Sequence, residues 1–206
     1  MTFENNEANY GGGMSIANGS APILENVNFS YNEARQGGGI YNEDSSPSIS
    51  NVAFSNNRAR GFTYKKFLNS SIVFDLDYFR HKGGGMYTEG EDSITLINVV
   101  FDNNVAEEDS LFRTNNVGPP IGIYLQGRGG GFYNKNLGGT ESNITITNAT
   151  FNQNLAEDTE QLGPPGIDIY NECAFAINLN NSVLLTGFYA GEQIYGTLQD
   201  ESASGS

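Results

Sequence analysis

The sequence predicts an all-β chain wound as a parallel solenoid. Three observations carry that expectation: a short phrase opened by Phe that recurs five times, a triple glycine that recurs four times, and a composition that opposes helices. Of 206 residues, 27 are Asn and 26 are Gly. Gly costs a helix about 1 kcal/mol relative to Ala, and Asn competes for the backbone's own hydrogen bonds. The 13 Phe and 11 Tyr supply core material, so the chain is not a disordered linker.

Each element of the repeat has a physical task. Phe3, Phe29, Phe54, Phe101 and Phe151 open the phrase, and Asn follows three residues later at Asn6, Asn32, Asn57, Asn104 and Asn154. Ala follows five residues after each Phe, at Ala8, Ala34, Ala59, Ala106 and Ala156. The triplets Gly11 to Gly13, Gly37 to Gly39, Gly83 to Gly85 and Gly129 to Gly131 come next, each followed by a large apolar residue and three of them then by Tyr41, Tyr87 or Tyr133. Stretches such as Ile94-Thr-Leu96 and Ile144-Thr-Ile146 alternate with the two-residue period of a strand. Successive Phe lie 26, 25, 47 and 50 residues apart. A unit of about 25 residues made of short strands and tight turns is one coil of a parallel β-helix, which gives the chain about seven coils. Coils stack ~4.8 Å apart, so equivalent residues form columns: Phe in the interior, Asn at a corner bonding along the stack, Gly where neighbouring coils approach closely. The expected domain spans residues 1–199, with a degenerate last coil or cap over 173–199 and a flexible tail over 200–206.

The paired motifs resemble those of the chlamydial polymorphic outer-membrane proteins and related bacterial surface proteins. They stand here as Phe29-Ser-Tyr-Asn32 with Gly37-Gly-Gly-Ile40-Tyr41, and as Phe101-Asp-Asn-Asn104 with Gly129-Gly-Gly-Phe132-Tyr133. The resemblance covers roughly residues 3–172 and implies a right-handed parallel β-helix, secretion and a surface role such as adhesion. This chain departs from that family in lacking an outer-membrane barrel, in tripling its glycines and in interrupting its repeats.

Two interruptions carry the individuality. Phe and the Gly triplet are 8 residues apart in the first two units but 29 and 28 apart in the third and fourth. The extra residues, about 60–82 and 107–128, read either as loops leaving one corner of consecutive coils or as hidden coils, and the loop reading is favoured because the second insert has no Phe in phase. Long loops on a rigid scaffold are where recognition usually resides. Six of the ten Lys and Arg lie in residues 58–82: Arg58, Arg60, Lys65, Lys66, Arg80 and Lys82. Against Asp75 and Asp77 they leave that segment at +4 and, in a chain of net charge -14, the rest at -18. Interleaved with Tyr64 and Tyr78 they suit an anionic glycan or an acidic surface protein; the plainer reading is that they offset acidic coils beneath. The candidate ligand-binding set is therefore Lys65, Lys66, Arg80, Lys82, Tyr64 and Tyr78. A proline-bearing element occurs twice, as Gly118-Pro-Pro-Ile-Gly-Ile-Tyr124 and Gly163-Pro-Pro-Gly-Ile-Asp-Ile-Tyr170, and reads as a reused turn and strand.

Composition narrows the remaining classes. The acidic surface disfavours nucleic acid. The single Cys173 excludes an intrachain disulfide, and the single His81 excludes zinc sites built on paired His. No apolar run approaches the ~18 residues of a membrane span, so no membrane insertion by this chain is expected. No cofactor is expected, although a structural calcium fits the fold class. Polysaccharide lyases and hydrolases also use such solenoids, but no dense carboxylate set recurs at coil spacing, and no catalytic residue is assigned. The repeat is already in phase at residue 3, which leaves a row of unpaired backbone groups and suggests either a piece of a longer protein or end-to-end self-association into a fibre. The leading expectation is an extracellular or cell-surface binding module.

Overall fold

The computed structural model describes residues 1–61, 81–90, 93–113, 121–125, 127–135, 143–157, 168–172, 176–185, 194–195 and 198–200. Its strands form three parallel faces and one hairpin. The first face holds β1 (Thr2–Glu4), β3 (Ile23–Glu25), β4 (Asn28–Ser30), β7 (Ser48–Ser55), β10 (Ser93–Asp102), β15 (Asn143–Thr147), β16 (Thr150–Asn152), β19 (Ile177–Asn180), β20 (Val183–Leu185) and β22 (Leu198–Asp200). The second holds β2 (Met14–Ile16), β6 (Ile40–Glu43), β9 (Met86–Glu89), β14 (Phe132–Lys135), β18 (Ile169–Asn171) and β21 (Ile194–Tyr195). The third holds β5 (Glu33–Ala34), β8 (Arg58–Ala59), β11 (Val105–Ala106) and β17 (Leu155–Ala156), while β12 (Asp109–Arg113) and β13 (Ile121–Leu125) pair with each other alone. The path β1-β4-β7-β10-β15-β19-β22 climbs through seven tiers, one per coil.

Register turns the repeat into columns. Phe3, Phe29, Phe54, Phe101 and Phe151 stand in direct register and end on Leu184. Their rings stack with centroids 4.7–5.3 Å apart and planes within 9°. Phe29, Phe54, Phe101 and Phe151 are fully buried, each stabilising the fold by roughly 1.5–3 kcal/mol. A parallel column of Leu24, Ile49, Leu96, Ile146 and Leu179 fills the other half of the interior, and Met14, Ile40, Met86, Phe132 and Ile169 close it from the second face. Because Phe54 pairs directly with Phe101, and Phe101 with Phe151, spacings of 47 and 50 residues each span a single tier. Neither insert hides a coil.

A buried amide ladder runs beside the Phe column. Asn32 Nδ2 donates to Asn57 Oδ1, Asn57 to Asn104 and Asn104 to Asn154, each at 3.0 Å, and every link is doubled by the backbone N–H of the donor residue. The second Nδ2 hydrogen reaches the Phe carbonyl of the previous coil, as from Asn57 to Phe29 at 2.9 Å. Every Asn-to-Asn bond points toward later coils, so the amide-to-amide ladder ends there on a donor. Asp168 occupies that end: Asn154 Nδ2 donates to its Oδ1 at 2.8 Å. In the sequence Gly187 stands where a sixth ladder Asn would fall, three residues after Leu184. Asp168 reaches the spot from the neighbouring column, where earlier coils carry the third glycine of each triplet: the Phe132 N–H bonds to Asp168 O as the Met86 N–H bonds to Gly131 O.

Corners follow from residues that tolerate positive φ. Asn51, Asn98 and Asn148 sit at φ 53, 53 and 54, and form a second, exposed ladder joined by Nδ2-to-Oδ1 bonds of 3.1 Å. The triplets act where coils touch. At Gly84 an added Cβ would lie 2.5 Å from the carbonyl oxygens of Gly130 and Val105, and at Gly85 it would lie 2.7 Å from the Phe101 ring.

Candidate functional site

Both inserts leave from the corner that follows the Ala column. Ala34, Ala59, Ala106 and Ala156 are in register on the third face, and the next residue of each coil is Arg35, Arg60, Glu107 and Glu157 in turn. The chain rejoins the helix at a column of single bridges, Tyr10 to Gln36 to Lys82 to Arg128. The second insert contains an antiparallel hairpin, with Asp109 opposite Leu125 and Arg113 opposite Ile121. The loop reading therefore holds for it. Of its proline-bearing element, Ile121–Leu125 forms a hairpin strand, whereas the copy ending at Tyr170 forms a rung of the helix, so the reused segment serves two architectures.

The corner concentrates ionisable groups. Arg58 Nε lies 2.9 Å from Glu107 Oε1, and Arg60 pairs with Glu33. The Glu108 N–H donates to Glu157 Oε2 at 3.1 Å, and the His81 ring Nδ1 lies 3.0 Å from the Glu107 carbonyl oxygen. Burial raises the Glu107 carboxyl above its usual range against the pull of Arg58, and neighbouring Glu157 raises it further. The signal for this cluster was present in the repeat: the position after the Ala column changes from Arg, Arg to Glu, Glu in consecutive coils.

A second concentration of polar groups lies along the tyrosine column of the second face. Tyr41, Tyr87, Tyr133 and Tyr170 are in register and buried, with ring centroids 5.1–5.2 Å apart and planes within 8°. Glu89 accepts hydrogen bonds from the hydroxyls of Tyr41 and Tyr87, and Glu172 accepts one from Tyr133. The bridging column leans over the next coil's ring: Tyr10 against Tyr41, Lys82 over Tyr133 and Arg128 over Tyr170. Within this column the buried rings turn their faces to one another.

Of the six residues expected to bind a ligand, Lys65, Lys66, Arg80, Tyr64 and Tyr78 lie outside the described residues. Lys82 corrects the expectation. It is 0% exposed, with Nζ 5.0 Å from the Tyr133 ring centroid, because its coil position faces the next tier's aromatic ring rather than solvent. With Arg58 and Arg60 paired to acidic neighbours, the three described cations of the basic segment are held by the chain's own groups. Among the described residues no three His, Cys, Asp or Glu side chains gather to hold a metal ion, and no helix is long and apolar enough to cross a membrane.

The strand order, the parallel register and the inward columns define a parallel β-helix scaffold. The right-handed beta helix region family matches residues 1–198, and the chain belongs to that family. No curated protein and no solved structure matches the chain.

Proposed function

We propose that this chain is an extracellular or cell-surface binding module in which the β-helix is the scaffold and the two inserts are the recognition surface. The observation that carries this reading is the placement of the inserts. Two consecutive coils open at the same corner, Arg58 of one tier pairs with Glu107 of the next at the roots of both inserts, and the second insert departs as a hairpin. The side-chain amides of the Asn columns bond to one another along the coils, which leaves the inserts as the variable part of an otherwise periodic surface. The likeness of the Phe-x-x-Asn and Gly-rich motifs to chlamydial surface-protein repeats supports a surface role. The partner is anionic, a sulfated or acidic glycan or an acidic surface protein, because six of the ten Lys and Arg, Lys65, Lys66 and Arg80 among them, fall in residues 58–82 of a chain whose net charge is -14.

The test is binding of heparin, of an uncharged glycan of equal length and of a second copy of this chain, at low and high salt. Screening shortens from ~10 Å at 0.1 M to ~3 Å at 1 M, so binding to heparin should fade over that range. Reversing Lys65, Lys66 and Arg80 to Glu should abolish it. Equal binding by the reversed chain, or binding that prefers the uncharged glycan, overturns the reading.

A further inference from the structure

We infer that Tyr41, Tyr87 and Glu89 form a one-electron oxidation site, reached from the surface through Tyr10. A phenol surrenders an electron readily only where its proton has a base to receive it, since the oxidised phenol is a strong acid. Glu89 serves two rings at once: Oε1 accepts from the Tyr41 hydroxyl at 2.5 Å and Oε2 from the Tyr87 hydroxyl at 2.8 Å. The two rings are parallel within 3° with centroids 5.2 Å apart, so their π faces are in contact and an electron has no gap to cross. Lys135 Nζ stands 4.0 Å from the same Glu89 Oε2. Burial and Glu89 hold both phenols far above their ordinary range, so each is an O–H donor at neutral pH before it is oxidised.

The rest of the column gives the site its position. Tyr133 and Tyr170 continue the stack, but Lys82 Nζ lies 5.0 Å from the first ring and the Arg128 guanidinium 4.8 Å from the second. A cation over a ring opposes removal of an electron from it. At the other end Tyr10 is 40% exposed and its ring centroid is 5.0 Å from that of Tyr41. An oxidising equivalent received at Tyr10 therefore moves inward and stops at the pair that shares a base.

The step balances as follows. A diffusible one-electron oxidant removes an electron from Tyr10, which releases its proton to water. An electron then passes from Tyr41 to Tyr10, which takes a proton back from water. At the same time the Tyr41 O–H bond breaks, its proton bonds to Glu89 Oε1, and a neutral Tyr41 radical remains. Exchange with Tyr87 moves one electron from Tyr87 to Tyr41, returns the Oε1 proton to Tyr41 and passes the Tyr87 proton to Oε2. The net change is one reduced oxidant, one tyrosyl radical and one protonated Glu89.

Tyr31 is an internal control: it is 54% exposed, more than Tyr10, and stands off the column. The experiment irradiates the chain with tris(bipyridine)ruthenium(II) and persulfate, freeze-quenches for electron paramagnetic resonance, and maps dityrosine by peptide mass spectrometry. In the parent chain Tyr31 should couple, Tyr10 should be spared, and a persistent tyrosyl signal should form. Tyr41→Phe, which keeps the ring, and Glu89→Gln, which keeps a hydrogen-bonding side chain, should each raise coupling at Tyr10 several-fold and remove the persistent signal, with melting temperature unchanged. Tyr10 coupling as readily in the parent as in Tyr41→Phe, or a radical that persists in both variants, overturns the inference. A purely structural role for the stack moves neither readout.

Discussion

Asp168→Asn should stabilise this protein at neutral pH and remove one step of its pH dependence. Asp168 is 1% exposed and accepts from Asn154 Nδ2 at 2.8 Å, but its Oδ2 is buried with no hydrogen-bond partner. Burial, the larger effect, pushes its carboxyl up to about 6 from an ordinary 3.8, and the hydrogen bond from Asn154 offsets only part of that rise. The folded chain thus holds this proton more tightly than the unfolded chain. Between about pH 4 and pH 6 the folded state is protonated where the unfolded state is not, so stability falls as pH rises through that window. Above it the full loss is in place, about 3 kcal/mol at 1.36 kcal/mol per tenfold change in proton affinity. An Asn at this position accepts the same bond through Oδ1 and completes the ladder, while its buried NH2 takes back about 1–2 kcal/mol. The expected gain at pH 7 is therefore roughly 1–2 kcal/mol. The assay is urea unfolding of parent and variant at half-unit steps from pH 4 to pH 8, read as the difference between the two, which cancels the other carboxylates. A difference that stays constant across pH 4 to 6, or a variant less stable at pH 7, refutes the reasoning.

Phe54→Ala should cost ~3–5 kcal/mol in the same assay, because it opens a cavity between two stacked rings in a close-packed column; a loss under ~1 kcal/mol would mean the column carries little of the core energy. Asn57→Ala should cost at least ~2 kcal/mol, since it strands the N–H and Nδ2 of Asn32 in the interior and leaves Asn104 Oδ1 with the backbone N–H of residue 57 alone, and hydrogen exchange at Asn32 should accelerate with it.

Much of the fold was legible because a solenoid writes its contacts into the sequence at a fixed interval. Phe54 meets Phe101 and Asn57 meets Asn104 for no reason beyond occupying equivalent places, so recurrence alone revealed the columns. What escaped were contacts that cross between columns. Lys82 belongs to the bridging column but sits over a ring of the tyrosine column one tier on, which no count along the chain discloses. Asp168 stands in the column of glycines yet supplies the acceptor that the amide ladder lacks at Gly187. The Glu107 and Glu157 pair was visible as a change of charge at one repeat position, but its role at the roots of the inserts depends on which corner the chain leaves.

The central claim is that the helix is complete without its inserts. Arg60 and Lys82 occupy the third-coil places that Arg35 and Gln36 occupy in the second, where they are adjacent in sequence. Excising residues 61–81 joins Arg60 directly to Lys82 and gives the third coil 26 residues, the length of the first. The decisive measurement is thermal unfolding of this excised chain followed by far-ultraviolet circular dichroism. The account predicts a β spectrum and a single cooperative transition, together with loss of heparin binding. An excised chain that is unfolded at room temperature, or one that folds and still binds heparin like the parent, contradicts it.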